Sequence, residues 1–87
     1  MAVNIIDRDV KETIARIVAT IYSYSTKDSF KDVYRFVKYN LKTDKGVKSM
    51  VAMGKKHAKG LKGNKVQVLL AQLMLCEELY FAERKRG

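Results

Sequence analysis

Lysines are concentrated between residues 42 and 65, where their number and spacing predict a binding chemistry. This segment holds eight lysines against one acidic residue, Asp44, for a net charge of +7. Residues 1–41 hold seven basic against five acidic residues, and residues 66–87 hold three against three, so most of the overall +9 is local. Ammonium groups neutralise phosphates and release the counterions condensed on nucleic acids. The segment is therefore predicted to bind a polyanion.

The lysines also repeat with helical spacing. Lys48, Lys55, Lys59 and Lys62 are separated by seven, four and three residues, which places them on one side of a helix predicted from residue 46 or 47 to residue 61. An apolar series lies roughly a quarter turn away on the same helix: Val47, Val51, Gly54, Ala58 and Leu61. The predicted nucleic-acid contacts are Lys45, Lys48, Lys55, Lys56, Lys59, Lys62, Lys65 and Arg35.

The residue types on this basic side indicate recognition of the phosphate backbone. Base edges are read mainly by planar or amide side chains, whereas lysine acts as a point charge. Phe36 and Tyr39 fall on the outer side of the preceding predicted helix, beside Arg35. Aromatic rings so placed could stack on unpaired bases, contact a protein partner or pack against another helix. DNA and RNA are not distinguished by these residues.

The sequence predicts neither catalysis nor a cofactor or metal site. It has one histidine, His57, and one cysteine, Cys76, with no spacing typical of a metal, nucleophile or phosphate-loop motif. Glu77 and Glu78 are adjacent on a predicted helix and point in different directions. We expect His57 to be a solvated surface side chain and Cys76 to be a small buried apolar one.

The elements that must position these residues are four helices joined by short loops. Their predicted ranges are residues 8–23, 29–41, 46 or 47 to 61, and 65–85. Each has apolar residues at intervals of three and four, and the chain contains no proline. We therefore predict an all-α fold, a compact four-helix bundle in a single domain (residues 1–87) with a long apolar C-terminal helix.

The C-terminal helix carries two apolar stripes instead of one. Leu69, Leu73, Cys76 and Tyr80 form the first stripe, and the second lies about 100° away: Val68, Leu75, Leu79 and Ala82. One neighbouring helix cannot cover so wide an arc. Either this helix is the centre of the bundle, or the second stripe is the interface of a homodimer. The sequence leaves both alternatives open.

Local signals predict where the helices begin and end. Acidic groups near residue 8 favour a helix start, Ser29 precedes a weak capping box, and a glycine after the third helix is expected to adopt a left-handed conformation. Gly54 and Ala58 predict a close approach between helices. The residues predicted to cap or support helix ends are Asp7 or Asp9, Ser29 with Asp32, Asn64 with Gln67, and Arg84-Lys85-Arg86.

We expect a cytoplasmic, basic nucleic-acid-binding protein with a regulatory or architectural role. No signal peptide and no apolar run of about 20 residues is present, so no membrane span is predicted. The alternative is a protein-interaction module, an inhibitor or small assembly subunit of the kind that phages and mobile elements encode, docking on an acidic protein or ribonucleoprotein. Binding of the lysine-rich helix to an anionic membrane surface is a third, less favoured alternative.

Overall fold

The computed structural model confirms an all-α bundle of four helices. It describes the backbone of residues 2–86 and the side chains of residues 10–82. The helices are α1 (Ala2–Ser25), α2 (Phe30–Asn40), α3 (Asp44–Lys59) and α4 (Asn64–Arg86). The loops between them span residues 26–29, 41–43 and 60–63. Within residues 2–86 there is no β-strand.

The helix at the centre of the bundle is α1, which packs against each of the other three. Helical spacing predicts an inner stripe of Val10, Ile14, Ile17 and Ile21 on α1. All four are buried, and so are Ala15 and Ala19 on a neighbouring side of the helix. α4 packs against α1 and α3, and within the described part of the chain it makes no contact with α2. The alternative that placed α4 at the centre is therefore wrong. Small alanine side chains let neighbouring helices close around α1, which the sequence analysis overlooked.

The inner side of α3 makes the close approach that its small residues predict. Val47, Val51 and Ala58 are buried, and a Cβ atom at Gly54 would lie 3.0 Å from Leu73 Cδ2 of α4. The same Cβ would lie 3.2 Å from a methyl carbon of Val18 in α1. The absence of a side chain at position 54 thus lets α3 pack tightly against two helices at once.

The inner side of α2 is narrower than predicted. Helical spacing predicts that Phe30, Val33, Tyr34, Val37 and Leu41 lie on this inner side. Val33, Val37 and Leu41 are buried, whereas Phe30 is exposed. The Phe30 ring stacks on Tyr34 with a centroid separation of 5.8 Å. Phe30 is the first residue of α2. At this end of the helix the Phe30 ring contacts Tyr34, one turn further along α2, and does not reach the core.

α4 buries the first of its two predicted stripes. Leu73, Cys76 and Tyr80 lie in the core. The phenol of Tyr80 donates a hydrogen bond of 2.6 Å to Asp44 Oδ1 at the start of α3. A buried phenol needs such a partner, because leaving its hydroxyl unpaired costs about 1–3 kcal/mol. This bond positions the first turn of the lysine-rich helix against α4.

Helix ends follow the predictions only in part. Ser29 caps α2 by accepting a 3.2 Å hydrogen bond from the Asp32 amide, as expected. α1 begins at Ala2, so Asp7 and Asp9 lie inside it and do not cap it. Gly60 has ordinary right-handed dihedrals, and the positive φ of 134° occurs at Gly63. Asn64 is already the first residue of α4, which moves the cap position to Gly63.

The start of α3 also depends on a glycine. Thr43 caps the helix by accepting a 3.0 Å hydrogen bond from the Gly46 amide. A Cβ atom at Gly46 would collide with the carbonyl oxygen of Asn40 at the end of α2. The three-residue turn between α2 and α3 can therefore close only because residue 46 has no side chain.

Candidate nucleic-acid interface

The basic face consists of the lysines on the outer side of α3, in the turn that follows and at the start of α4. Burial of Val47, Val51 and Ala58 against α1 and α4 orients the opposite side of α3 toward solvent. On the described part of the chain, six lysines of this face have exposed side chains and belong to no ion pair: Lys45, Lys48, Lys56, Lys59, Lys62 and Lys65.

Two members of the basic face contact α4. The ammonium nitrogen of Lys55 lies 2.9 Å from Glu77 Oε1, and both side chains are partly exposed, at 37% and 28%. Lys48 places its ammonium nitrogen 5.4 Å from the centre of the Phe81 ring. Lys48 keeps its charge, whereas the charge of Lys55 is offset by a carboxylate. Lys55 is thus the one predicted contact that is already occupied within the described residues.

Arg35 lies on a different helix from the lysines. It is exposed on the outer side of α2, together with Phe36 and Tyr39, whose side chains are 54% and 69% exposed. Lys42, which the sequence analysis did not select, places its ammonium nitrogen 4.7 Å from the centre of the Tyr39 ring. The outer side of α2 therefore combines aromatic rings with cations, although α3 carries most of the positive charge.

Phe36 of α2 and Met53 of α3 line the same open depression. Its other lining residues are Tyr22, Val33, Asp28 and Asp32. The side chains of Phe36, Met53, Tyr22 and Val33 make most of this groove apolar. The two carboxylates make the groove less suited to a polyanion than the lysines of α3.

A polar network that the sequence analysis missed holds α2 against α1. The Tyr34 hydroxyl and the Lys38 ammonium group both donate to the carboxylate of Glu12, which also pairs with Arg16 at 3.2 Å. The hydrogen bond from Tyr34 contributes most to a lowered pKa of Glu12, and bonds from Lys38 and Arg16 add to it. Helical spacing within α1 predicts only the Glu12–Arg16 pair.

His57 is not the solvated side chain that we expected. It is half-buried, with its ring 4.3 Å from the Tyr22 ring and Nδ1 3.1 Å from the Ser25 hydroxyl oxygen. Tyr22 and Ser25, near the end of α1, cover part of the ring. Cys76 is buried as expected, and burial raises the pKa of its thiol. Both His57 and Cys76 therefore pack against neighbouring side chains of the bundle, as structural residues do.

The described side chains include no group of three or more His, Cys, Asp or Glu residues able to hold a metal ion. Over the same part of the chain, no helix combines the length and apolar character needed to cross a membrane. The side chains of Arg84-Lys85-Arg86, predicted to support the end of α4, lie outside the described residues.

Comparison of the chain with protein-family models, with curated proteins and with solved structures finds no match.

Proposed function

We propose that the protein binds nucleic acid through the basic face of α3. The observation that carries this proposal is the set of six exposed lysines on α3, in the turn after it and at the start of α4, with no carboxylate paired to them among the described side chains. An ordinary solvated helix intersperses both signs of charge. Of the acidic residues near the face, Asp44 accepts a hydrogen bond from Tyr80, and Glu77 offsets the charge of Lys55.

The proposed mechanism is neutralisation of backbone phosphates. A face of lysines attracts the phosphate backbone by charge and releases condensed counterions, so affinity depends steeply on salt. Lysine offers no planar fork for bidentate contact with a base, so binding is expected to vary little with sequence. Regulatory and architectural roles both require such binding. A cytoplasmic location stays a prediction, based on the presence of a single cysteine, Cys76, which fits a reducing compartment.

The aromatic side chains on the outer side of α2 support a role for this helix in binding single-stranded nucleic acid. Phe36 and Tyr39 expose more than half of their side chains. Each base stacked on an aromatic ring contributes about 1–3 kcal/mol, regardless of its identity. If α2 takes part, single-stranded DNA or RNA will bind more tightly than a duplex of equal length, and Tyr39→Ala will remove the difference. Equal affinities would assign the binding to α3 alone.

The test measures fluorescence anisotropy of labelled oligonucleotides between 50 and 200 mM salt. Replacing Lys56 and Lys59 with Gln should lower the slope of log affinity against log salt by about 2, one for each lost phosphate contact. The matched control replaces Lys27 and Lys31, exposed lysines outside the basic face, and should leave the slope unchanged. Equal effects of both double variants, or an affinity independent of salt, would refute the proposal.

The alternative function is docking on an acidic protein. The apolar groove between Phe36 and Met53 supports it, because an aromatic anchor beside exposed cations is typical of protein interfaces. In that case a protein partner will remain bound in stoichiometric amount after nuclease treatment, and Phe36→Ala will release it. Loss of all bound material on nuclease treatment would favour nucleic acid.

A further inference from the structure

The second apolar stripe of α4 lies on the outside of the bundle. Val68, Leu75 and Leu79 are 56%, 59% and 53% exposed. At these positions the folded chain leaves apolar surface in water, and burial of that surface against a partner would be favourable. Isolated exposed apolar residues are ordinary, but here they recur along one helix over about 21 Å, from Val68 to Ala82.

The stripe has the spacing of a helix–helix seam. Val68, Leu75, Leu79 and Ala82 are separated by seven, four and three residues, with Ala71 and Gln72 between the first two. Such spacing keeps one side of a helix facing a partner helix along its length. Among the described residues, α1 and α3 cover the inner side of α4, and α2 makes no contact with α4. No described helix therefore covers the second stripe.

We propose that this stripe is the interface of a homodimer in which two copies of α4 pack antiparallel, with the two Leu75 side chains at the two-fold axis. In this arrangement two residues face each other when their numbers add up to 150, because Leu75 lies on the axis. Val68 then lies opposite Ala82, and Leu79 lies opposite Ala71. Large side chains are thus placed against small ones, as close packing of two helices requires. A parallel pair would instead oppose each residue to itself and leave a gap at each alanine.

The distribution of charge argues for a second copy over other partners. With a net charge of +9, two copies repel one another across most of their surfaces. The eleven residues from Val66 to Cys76 contain no charged side chain, so α4 offers a surface on which that repulsion is weakest. Nucleic acid and acidic surfaces are attracted instead to the lysines of α3, which lie on a different helix.

The proposed interface is small, since it involves mainly one helix from each copy. Interfaces well below about 800 Å² per partner are typical of weak or transient association, so we expect a dissociation constant on the order of micromolar. Apolar contacts are not screened by salt, whereas the repulsion between basic subunits is. Dimerisation should therefore become tighter at 0.5 M salt. Nucleic-acid binding should weaken under the same conditions, so failure of one proposal is distinguishable from failure of the other.

The first test is sedimentation of nuclease-treated protein from about 1 to 500 µM at 0.5 M salt. The full chain should shift from monomer to dimer, and Leu75→Glu should weaken the association about thirtyfold or more, as expected for a central interface residue. The control is Tyr39→Glu, which places the same charge on an exposed apolar residue of α2 and should leave the dimer unchanged. A chain that stays monomeric throughout, or equal effects of the two variants, would overturn the proposal.

The second test fixes the geometry by disulfide formation in a Cys76→Ala background. Leu75→Cys should form a covalent dimer on mild oxidation, because the two copies of residue 75 meet at the axis. Val68→Cys alone should not, whereas Val68→Cys combined with Ala82→Cys should. These positions are exposed, so the substitutions are expected to leave the bundle folded, which circular dichroism will verify. Covalent dimers of Val68→Cys alone would overturn the antiparallel arrangement.

Discussion

The ammonium nitrogen of Lys55 lies 2.9 Å from Oε1 of Glu77, which links the middle of the basic face to α4. This pair has two consequences. It holds α3 and α4 in register beside the close contact at Gly54, and it removes one positive charge from those available to a polyanion. The six lysines around it keep their charge, so the basic face has an occupied position near its centre.

Glu77→Gln should make Lys55 available for phosphate contact. We expect the slope of log affinity against log salt to increase by about 1, with tighter binding at low salt. The pair is partly exposed, so the free energy of unfolding should change by less than about 1 kcal/mol. Oligonucleotide titration and urea unfolding measure the two quantities.

The matched control for this change is Glu78→Gln. It alters the net charge by the same amount at an exposed neighbouring residue that is in no ion pair of the described part of the chain. The slope should then stay as in the unmodified protein. If Glu78→Gln has the same effect as Glu77→Gln, the change reflects overall charge, and Lys55 plays no specific part.

Glu12 should make the stability of the bundle depend on pH in the acid range. Hydrogen bonds from Tyr34, and then from Lys38 and Arg16, lower its pKa below the ordinary value of 4.5. A carboxylate with a lowered pKa in the folded state stabilises the protein above the ordinary pKa, and this contribution is lost as pH falls through the folded-state pKa. Because Glu12 is one-third exposed, the contribution is about 1 kcal/mol.

Urea unfolding at pH 7 and pH 3 checks this expectation. Glu12→Gln should reduce stability at pH 7 and have a smaller effect at pH 3, because protonation of Glu12 as pH falls removes the same interactions. Tyr34→Phe removes the strongest donor and should raise the pKa of Glu12 toward its ordinary value, as followed by NMR titration. Equal losses at both pH values for Glu12→Gln would contradict the proposed role.

Gly46→Ala should destabilise the turn before the lysine-rich helix. The added methyl group would collide with the backbone carbonyl of Asn40, which cannot move as a flexible side chain can. We expect a loss of roughly 1–3 kcal/mol or more in the free energy of unfolding. Chemical denaturation gives the value, and weaker oligonucleotide binding should accompany any displacement of α3.

Gly60→Ala is the control for the glycine substitution. A Cβ atom at Gly60 would meet only the His57 carbonyl oxygen at 3.7 Å, and the backbone there has right-handed dihedrals. The change should be neutral or stabilise the protein by about 0.4–1 kcal/mol, because alanine restricts the unfolded chain. Similar losses for Gly46→Ala and Gly60→Ala would show that the clash at position 46 is relieved by relaxation.

Local pattern in the sequence was enough to predict four helices and most of their inner sides. Val10, Ile14, Ile17 and Ile21 recur with helical spacing and are all buried. The cap at Ser29 is equally local, because it joins residues three positions apart. Such features depend on neighbours within one or two turns, so they can be predicted without knowing how the helices are arranged. The concentration of lysines between residues 42 and 65 is likewise a property of the sequence alone.

Only the tertiary structure decided which helix lies at the centre and which side of α4 is covered. Periodicity shows that α4 has two apolar stripes, but the choice between them depends on which helices reach it. Which stripe is buried depends on how residues far apart in the sequence fit together, such as Gly54 against Leu73 and Val18. The ion pair between Lys55 and Glu77 joins residues 22 positions apart for the same reason. Helical period specifies the direction of each side chain about its own axis, whereas close packing between helices determines what that side chain meets.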